Sequence, residues 1–190
     1  MAKRLVDILI SAVLLLALLP VLLILALLIR LDSKGAVIYS QERIGRGGKP
    51  FTIYKFRTMQ NDAEDGLPQL AARDDRRITN VGKVLRRYHL DELPQLWNVL
   101  KGEMSLVGPR PERRYYIDQI MAQAPEYAQL LSIRPGLSSW GMIRYGYASD
   151  IRQMIERMHY DLKYVENQSL WFDLKIILYT IKNVLTGQGV

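Results

Sequence analysis

The longest apolar segment of the chain is ILISAVLLLALLPVLLILALLI at residues 8–29, which contains no charged residue. As an α-helix, this segment would measure roughly 33 Å, about the thickness of the hydrocarbon core of a bilayer. A signal peptide is a weaker interpretation, because the run is long and no small-residue cleavage site follows it. A buried core helix is also disfavoured, since little chain remains to surround a helix that is apolar on every side. The pattern therefore predicts a membrane element.

Pro20 lies near the middle of this apolar run. It lacks a backbone N–H, and its ring crowds the carbonyl of Leu16 one turn earlier, so a kink is predicted there. Basic residues flank the run on both sides: Lys3, Arg4, Arg30 and Lys34. Because the positive-inside rule then indicates no orientation, two alternatives stay open. One is a bent helix that enters and leaves the cytoplasmic leaflet, and the other is a kinked helix that spans the bilayer.

Residues 36–56 have the pattern of a β-hairpin. One strand begins at residues 37–39, the other is formed by Phe51–Phe56, and the glycine-containing segment 43–50 connects them. This connection is basic, since residues 43–58 contain five lysines and arginines and no acidic residue. Residues 60–76 are polar and contain few apolar positions, which predicts a mobile loop.

Two helices are predicted in the centre of the chain. Residues 79–88 form a short basic helix, and the next helix begins with Asp91 as its N-cap and Pro94 in its first turn. Gly102 ends this second helix.

The C-terminal half continues with helix over residues 111–131, interrupted at Pro125, and with a turn at residues 134–136. Residues 151–164 form an amphipathic helix, and a final helix runs from a cap at Ser169 to a stop at Gly187. The apolar face of the final helix is broad. Packing in the core is the favoured role for it, and an interfacial membrane helix is the alternative.

Composition changes this picture in two ways. The 190-residue chain carries a formal net charge of +7, which suits a phosphate ligand, an acidic lipid surface or nucleic acid. It contains no cysteine, so disulfides, thiolate catalysis and cysteine-based metal sites are excluded. Its two histidines, His89 and His159, are too few and too far apart in sequence to suggest a histidine-rich metal site.

The adjacent carboxylates of Asp91 and Glu92 are the main candidates for chemistry. Acidic residues in the first turn of a helix are favoured by the helix dipole, which alone would explain both. Arg86, Arg87 and the rigid segment Pro109-Arg110-Pro111 lie close by in sequence, however, and arginine forks match phosphate oxygens. A carboxylate attacking phosphorus, with a neighbour that binds Mg²⁺, would perform phosphoryl transfer.

A second class of function is a membrane-anchored binding protein for acidic lipid or nucleic acid, in which Asp91 and Glu92 only cap a helix. Nucleic-acid binding is disfavoured, because no familiar binding motif is present. Lys55 and Arg57 fit either class, as contacts to a phosphate ligand or to acidic headgroups.

Several segments together resemble one family. They include KRLVDILIS at residues 3–11, TIYKFRTM at 52–59, DELPQLWNVLKGEMSLVGPRPE at 91–112, IRPGLSSWG at 133–141 and YDLKYVENQSLWFDLKIILYTIKNVL at 160–185. The chain is similar to the bacterial sugar transferases, monotopic phosphoglycosyl transferases that start glycan assembly on a polyprenol carrier. The resemblance implies transfer of a sugar-1-phosphate from a UDP-sugar to polyprenyl (undecaprenyl) phosphate with release of UMP.

The resemblance also implies roles for individual residues. Asp91 would be the nucleophile that forms a phosphosugar–aspartate intermediate, and Glu92 would bind Mg²⁺. The motif Pro109, Arg110 and Pro111 would lie at the nucleotide end of the site. The further candidates for contacts to substrate phosphate are Lys55, Arg57, Arg86, Arg87 and Arg134. Which sugar is transferred, and in which glycan pathway, does not follow from the sequence.

The implied architecture is a mostly helical α+β fold with a small β-hairpin and amphipathic interfacial helices. Residues 1–34 would form a re-entrant membrane helix broken at Pro20, and residues 35–190 a catalytic domain on the cytoplasmic face of the bacterial inner membrane. The implied partners are the bilayer and the two substrates, without nucleic acid, and the oligomeric state stays open, a dimer included. The family has serine before the proline at the break, whereas this chain has Leu19, which leaves the stability of the bend in question. Residues 140–147 also resemble larger family members, so the chain is either a compact member or the catalytic part of a longer one.

Overall fold

The computed structural model of the protein describes residues 2–60 and 75–187, and the predicted mobile loop falls mainly outside them. The α-helices are α1 Ala2–Ala17, α2 Leu19–Asp32, α3 Asn80–Arg87, α4 Leu96–Lys101, α5 Arg114–Met121, α6 Trp140–Arg144, α7 Ile151–Glu166 and α8 Leu170–Thr186. The strands are β1 Ile38–Ile44, β2 Pro50–Phe56, β3 Ser105–Val107 and β4 Gly136–Ser138, and 3₁₀ helices occupy Arg46–Gly48, Leu90–Gln95 and Pro125–Ser132. The predicted mostly helical α+β fold with a small antiparallel hairpin is confirmed.

The apolar N-terminal segment forms two helices rather than one. Helices α1 and α2 meet at Leu18 and are bent by 61°. Pro20 is the second residue of α2, where a missing N–H breaks no helical hydrogen bond, so the predicted kink is confirmed two residues before the proline. Among the described residues no single helix is long and apolar enough to cross a bilayer, whereas α1 and α2 together meet that criterion.

The first turns of α1 are fastened to the rest of the protein by polar contacts. The Arg4 guanidinium donates hydrogen bonds to the carbonyls of Val99, at 2.6 Å, and Leu100, at 2.9 Å. These carbonyls belong to the last turn of α4, where helix-end carbonyls can accept side-chain donors. The Val99 carbonyl also accepts a 3.0 Å hydrogen bond from the Gly102 N–H. The buried Asp7 carboxylate accepts a 2.8 Å hydrogen bond from the Ser105 hydroxyl of β3. Helix α1 and the body, which is the part of the protein from β1 onwards, are therefore joined by hydrogen bonds as well as by apolar packing.

The predicted hairpin is confirmed, with a shorter connection than the sequence indicated. β1 and β2 pair antiparallel from Ile38 opposite Phe56 to Ile44 opposite Pro50. The connecting loop is therefore reduced to residues 45–49, in which Gly47 and Gly48 adopt positive φ. Pro50 begins β2 as its first residue, a position at which a strand tolerates proline.

Asn98 of α4 holds the hairpin against the helical body. Its amide is fully buried and accepts a 3.2 Å hydrogen bond from the Tyr54 backbone N–H, while it donates to the Thr52 carbonyl at 2.7 Å. Both strand residues belong to β2, so the single side chain bonds two points of one strand. Helix α4 and the 3₁₀ helix before it are thereby fixed beneath the hairpin.

The prediction that Asp91 caps a single helix is wrong. Asp91 lies inside the 3₁₀ helix Leu90–Gln95, which precedes α4, and its side chain makes no capping hydrogen bond. The residue before this helix is His89, in the left-handed conformation at φ 53°. The tighter 3₁₀ helix is compatible with Pro94, whose missing N–H would interrupt a longer α-helical ladder. Gly102 ends α4 at φ 88°, as predicted.

The prediction of a turn at residues 134–136 is wrong for Gly136, which begins a strand. β4 pairs with β3 in parallel, with Ser105 opposite Gly136 and Val107 opposite Ser138. A Cβ at Gly136 would lie 2.0 Å from the backbone nitrogen of Gly108, so only glycine permits this approach. Three-residue strands have too few positions to show an alternating pattern, which is why the sequence did not reveal them.

The final helix has the predicted ends but not the favoured packing. Ser169 caps α8 and Gly187 ends it in the left-handed conformation. Its apolar side chains are mostly exposed: Trp171 is 77% and Leu185 76% exposed, whereas Ile176 is fully buried. The favoured prediction of core packing is therefore wrong for most of this face. The exposed side chains support the alternative of an interfacial helix.

Candidate active site

Asp91 and Glu92 occupy consecutive positions of the 3₁₀ helix, and both side chains are buried, each residue being 8% exposed. His89 turns the chain into this helix, and its carbonyl accepts a hydrogen bond from the Glu92 N–H at 3.2 Å. A non-glycine residue at positive φ is uncommon and is typical of sites where the chain is held under strain. The strained residue thus directly precedes the helix that carries both carboxylates.

The Glu92 carboxylate is clamped by two cations from different elements. Lys55 of β2 lies 2.5 Å from Oε1, and the Arg110 guanidinium lies 3.4 Å from the same oxygen. Burial alone would raise the pKa of Glu92, but Lys55 and Arg110 outweigh burial and hold that pKa well below its usual range. Glu92 is therefore a carboxylate anion at every physiological pH.

Asp91 differs from its neighbour in both pKa and partners. Burial raises the pKa of Asp91 to about 6, although Lys55 opposes the shift. Within residues 2–60 and 75–187, no side chain or backbone group donates a hydrogen bond to its carboxylate. A carboxylate that is poorly solvated and uncompensated is a better nucleophile than one held by hydrogen bonds. The two adjacent acids therefore differ: Lys55 and Arg110 hold the Glu92 carboxylate, whereas the Asp91 carboxylate is unengaged, because it accepts no hydrogen bond from the described residues.

The segment Pro109-Arg110-Pro111 presents one side chain to this pair. The Pro109 carbonyl accepts a 2.8 Å hydrogen bond from the N–H of Gly136, and the Pro111 carbonyl accepts one at 3.3 Å from Arg43. Both flanking residues are thus bonded to neighbouring elements through their backbones. Arg110 between them projects its guanidinium to Glu92 and over the ring of Tyr147, with 5.7 Å from Cζ to the ring centroid.

Three of the basic residues predicted to contact phosphate lie around the carboxylates. Lys55, Arg86 and Arg110 all act electrostatically on Asp91. Arg86 is oriented by a 2.9 Å hydrogen bond from its Nε to the Thr58 hydroxyl. These three cations form the basic cluster of the site, and they come from β2, α3 and the segment before α5.

The other three predicted basic residues lie elsewhere. Arg57 is buried and donates to the carbonyls of Ser33, at 2.7 Å, and Lys34, at 2.8 Å, just after α2. Arg134 donates to the Gly102 carbonyl at 2.8 Å, beyond the end of α4. These two arginines bind carbonyls near helix C-termini, where a cation also offsets the helix dipole.

Arg87 is separated from Arg86 by the helical rotation of α3. Its side chain is exposed and lies over the ring of Tyr88, with 5.7 Å from Cζ to the centroid. Consecutive residues on an α-helix diverge by about 100°, so only one of two adjacent arginines can face the site.

Two aromatic residues near the carboxylates were not predicted from the sequence. The rings of His89 and Tyr147 are parallel within 3°, with centroids 6.4 Å apart. Burial lowers the pKa of His89, which favours its neutral form. Tyr147 follows Gly146, whose φ of 92° turns the chain towards the site. The signal for both was weak, since Tyr147 lies in a stretch without a clear period and His89 precedes the predicted cap.

Comparison with known proteins identifies the family. A family profile described as "Bacterial sugar transferase" matches residues 1–187. The chain belongs to the bacterial sugar transferases. The family resemblance in the sequence is thus confirmed over nearly the full chain.

Curated relatives of the chain carry consistent names. A protein of Aeromonas hydrophila is 44% identical over 98% of this chain and is named a UDP-N-acetylgalactosamine-undecaprenyl-phosphate N-acetylgalactosaminephosphotransferase. Proteins of Caulobacter vibrioides and Escherichia coli are 45% and 40% identical over 97% and 94% of the chain, and both are named UDP-glucose:undecaprenyl-phosphate glucose-1-phosphate transferase. The chain spans 44%, 70% and 39% of the length of these three relatives, respectively.

The carboxylate site is compatible with a divalent cation. Over the described residues, no group of three or more His, Cys, Asp or Glu side chains could hold a metal ion. Mg²⁺ requires few carboxylates when substrate phosphates supply further oxygens. Lys55 and Arg110 both bond Oε1 of Glu92, and no described residue bonds Oε2, which is the oxygen best suited to a cation.

Proposed function

We propose that the chain transfers a sugar-1-phosphate from a UDP-sugar to undecaprenyl phosphate and releases UMP. The observation that carries the proposal is the asymmetric pair at the site, in which an unengaged Asp91 adjoins a Glu92 held by Lys55 and Arg110. The names of the relatives indicate the same reaction. Those relatives differ in the sugar that they are named for, so both glucose and N-acetylgalactosamine are candidates here.

In the first step, an Oδ atom of Asp91 attacks the phosphorus that bears the sugar. The bond between this phosphorus and the oxygen bridging to the nucleoside phosphate breaks, and UMP leaves with the electron pair. The product is a phosphosugar–aspartate acyl phosphate. Arg110 and Arg86 stabilise the negative charge that develops on the departing phosphate, because a preorganised cation needs no rearrangement at the moment of reaction.

In the second step, a phosphate oxygen of undecaprenyl phosphate attacks the same phosphorus. The bond from phosphorus to Asp91 breaks and regenerates the free carboxylate, which gives polyprenyl diphosphate sugar. The two half-reactions are separable, since the first requires no lipid. This ping-pong order follows from a single nucleophile that serves both substrates in turn.

Mg²⁺ is the cofactor proposed for this site. Glu92 would hold it, and when bound it would offset the charge of the diphosphate. Lys55 would then have two functions. It keeps Glu92 ionised, and it supplies a positive charge next to the leaving phosphate.

The exposed apolar surfaces support a location at the cytoplasmic face of the bacterial inner membrane. Helices α1 and α2 would enter and leave one leaflet, bent at Leu18, and α8 would lie in the interface with Trp171 towards the lipid. The polar contacts of Arg4 and Asp7 to the body would hold the site at headgroup level. That is the level at which undecaprenyl phosphate presents its phosphate group.

The proposal is tested by UMP release from purified protein in nanodiscs, with undecaprenyl phosphate, Mg²⁺ and a panel of UDP-sugars. UDP-glucose and UDP-N-acetylgalactosamine belong in the panel. Release from one donor that requires lipid and Mg²⁺, and that is lost in Asp91→Asn, is the expected result. Binding to acidic vesicles or nucleic acid with steep salt dependence, but without turnover, would favour the membrane-anchored binding protein instead.

A further inference from the structure

Helix α7 carries two oppositely charged side chains, Arg157 and Asp161, four residues apart and therefore on one face of the helix. Both are buried, at 6% and 3% exposure, and neither belongs to the basic cluster or to the carboxylate pair. Arg157 bonds Glu112 of the segment 109–112, which contains Arg110, and Asp161 bonds the residues after β4, the strand that lies beside this segment. A buried charge is costly unless it is hydrogen-bonded, so the bonds of these two residues show what they do.

Asp161 accepts hydrogen bonds from two donors in the segment that follows β4. Its Oδ1 accepts a 2.9 Å hydrogen bond from the Ser139 hydroxyl and a 2.8 Å hydrogen bond from the Gly141 N–H. A Cβ at Gly141 would lie 2.9 Å from Asp161 Oδ2, so a glycine permits the close approach of the carboxylate to the start of α6. Asp161 thus fixes Ser139 and Gly141 directly after β4. The neighbouring Ser138 carbonyl accepts a 3.0 Å hydrogen bond from the N–H of Gly108, so the chain that leads into Arg110 is held through β4.

Glu112 fixes the same segment from its other end. Its Oε1 lies 2.6 Å from Arg157 Nη2, with both side chains 8% exposed, and its Oε2 lies 3.3 Å from Arg43 Nη1. The Glu112 carbonyl also accepts a 3.0 Å hydrogen bond from the N–H of Ile44. Since Arg43 bonds the Pro111 carbonyl as well, the segment is connected to the hairpin and to α7 at once.

We infer that Asp161 and Glu112 are positioning residues for Arg110, which hold its backbone so that the guanidinium meets Glu92 and the departing phosphate. An arginine side chain has several rotatable bonds, so an unfixed backbone would let its fork miss the phosphate. The inference deepens the proposed function and rests on it for the identity of the ligand. It assigns the two buried acids to the ligand-binding geometry rather than to the chemistry itself.

The test is a double-mutant cycle between Asp161→Asn and Arg110→Lys. An amide at position 161 has one acceptor oxygen instead of two and adds an N–H₂ group facing donors. Asp161→Asn should therefore lower kcat/KM for the UDP-sugar roughly 10–100-fold, the range associated with a misplaced binding group. Arg110→Lys retains the positive charge but removes the fork, which is the planar guanidinium that can bond two phosphate oxygens at once. In that background Asp161→Asn should change kcat/KM less than about threefold, because the fork that it positions is already absent.

UMP binding measured by calorimetry gives a second readout that does not require turnover. Asp161→Asn should weaken UMP about as much as Arg110→Lys does, and the double variant should be no weaker than either. The matched control is Asp118→Asn on α5, since that side chain is 63% exposed and lies outside these contacts. It should leave both kcat/KM and UMP binding unchanged.

Equal losses from Asp161→Asn in both backgrounds, or no loss in the wild-type background, would overturn the inference. If Asp161→Asn does not fold, Glu112→Gln replaces it in the same cycle with the same expected pattern. Failure of both variants to fold would assign the two acids to the fold alone and would also overturn the inference. A wild type that neither releases nor binds UMP would instead count against the proposed function.

Discussion

The ammonium group of Lys55 lies 2.5 Å from Oε1 of Glu92, although 37 positions separate the two residues in the chain. Lys55 belongs to β2 and Glu92 to the 3₁₀ helix beneath the hairpin, and their side chains are 17% and 10% exposed. The ion pair therefore connects two elements and lies in the site itself. Its removal should affect stability and the pKa of Glu92 together.

Lys55→Met should lower the free energy of unfolding by about 3 kcal/mol at pH 7, because Glu92 would become a buried anion with only the longer contact to Arg110. The measurement is urea denaturation in detergent. Lys101→Met is the matched control, since Lys101 pairs with Glu103 at the surface, and an exposed pair contributes little. Equal stability of the two variants would mean that Lys55 does not compensate the charge of Glu92.

Asp91→Asn should abolish formation of the covalent intermediate. The wild type incubated with its UDP-sugar and Mg²⁺, without lipid, should gain the mass of one sugar phosphate, and Asp91→Asn should gain none because an amide oxygen is a poor nucleophile. Turnover should fall at least about 10³-fold. Intact-protein mass spectrometry is the measurement. A mass gain in the variant would assign the nucleophile to another residue.

The rate of the first half-reaction should depend on the ionisation of Asp91. Burial raises the pKa of Asp91 to about 6. The second-order rate constant for the reaction with the UDP-sugar should therefore fall about tenfold per pH unit below pH 6 and level off above it. Adduct formation without lipid isolates this ionisation from that of the lipid phosphate. A rate that stays constant down to pH 4.5 would show that Asp91 remains ionised in the free protein.

The same shift predicts how stability changes with pH. The folded state binds a proton at Asp91 more tightly than the unfolded chain, in which the pKa is 3.8, so Asp91 makes the protein less stable as pH rises from about 4 to about 6. Asp91→Asn lacks this ionisation and should exceed the wild type in stability by about 1–3 kcal/mol at pH 7, and by much less at pH 4. Denaturation at the two pH values measures this difference.

Glu92→Gln is a control variant for which the same measurement should give a stability change of the opposite sign. The pKa of Glu92 is lowered in the folded state, so its ionisation stabilises the protein above the unfolded pKa, and this stabilisation is lost as pH falls. Glu92→Gln should therefore be less stable than the wild type at pH 7. Changes of the same sign in the two variants would contradict the assignment of opposite pKa shifts to the adjacent acids.

Several helix ends could be predicted from the sequence because they depend on neighbouring residues, although the predicted cap at Asp91 was wrong. Thr79 and Ser169 accept hydrogen bonds from backbone N–H groups three residues later, and Gly187 ends α8 at positive φ. The hairpin was predicted for the same reason. The kink near Pro20 follows from the chemistry of one residue and required no knowledge of the rest of the fold.

The partners of the charged residues could not be predicted in this way. Arg57 and Lys55 lie two positions apart in the sequence, yet Arg57 binds carbonyls after α2 whereas Lys55 binds Glu92. Asp161 appeared only as a member of an amphipathic helix, although it bonds Ser139 and Gly141 directly after β4. Such contacts depend on which elements meet in space, and the sequence pattern describes each element alone.

The path of α1 and α2 through the bilayer is the remaining prediction. A re-entrant pair places Ala2 and Lys34, which flank the apolar segment, on the same side of the membrane, whereas a kinked spanning helix places them on opposite sides. The chain contains no cysteine, so single-cysteine variants report on one position at a time without background. Both positions are exposed in the structure. They are therefore accessible to a thiol reagent wherever water reaches them.

Ala2→Cys and Lys34→Cys should both react with a membrane-impermeant maleimide in inside-out vesicles, and neither should react in right-side-out vesicles. Gln123→Cys, an exposed position between α5 and the last 3₁₀ helix, reports the side on which the body lies. Pro20→Ala tests the cause of the bend, because restoring the N–H permits a continuous helix of roughly 45 Å, long enough to span the hydrocarbon core. In that background Ala2→Cys and Lys34→Cys should differ in the side from which they are labelled. Opposite labelling of the two positions in the wild-type background would establish a spanning helix and exclude the re-entrant one.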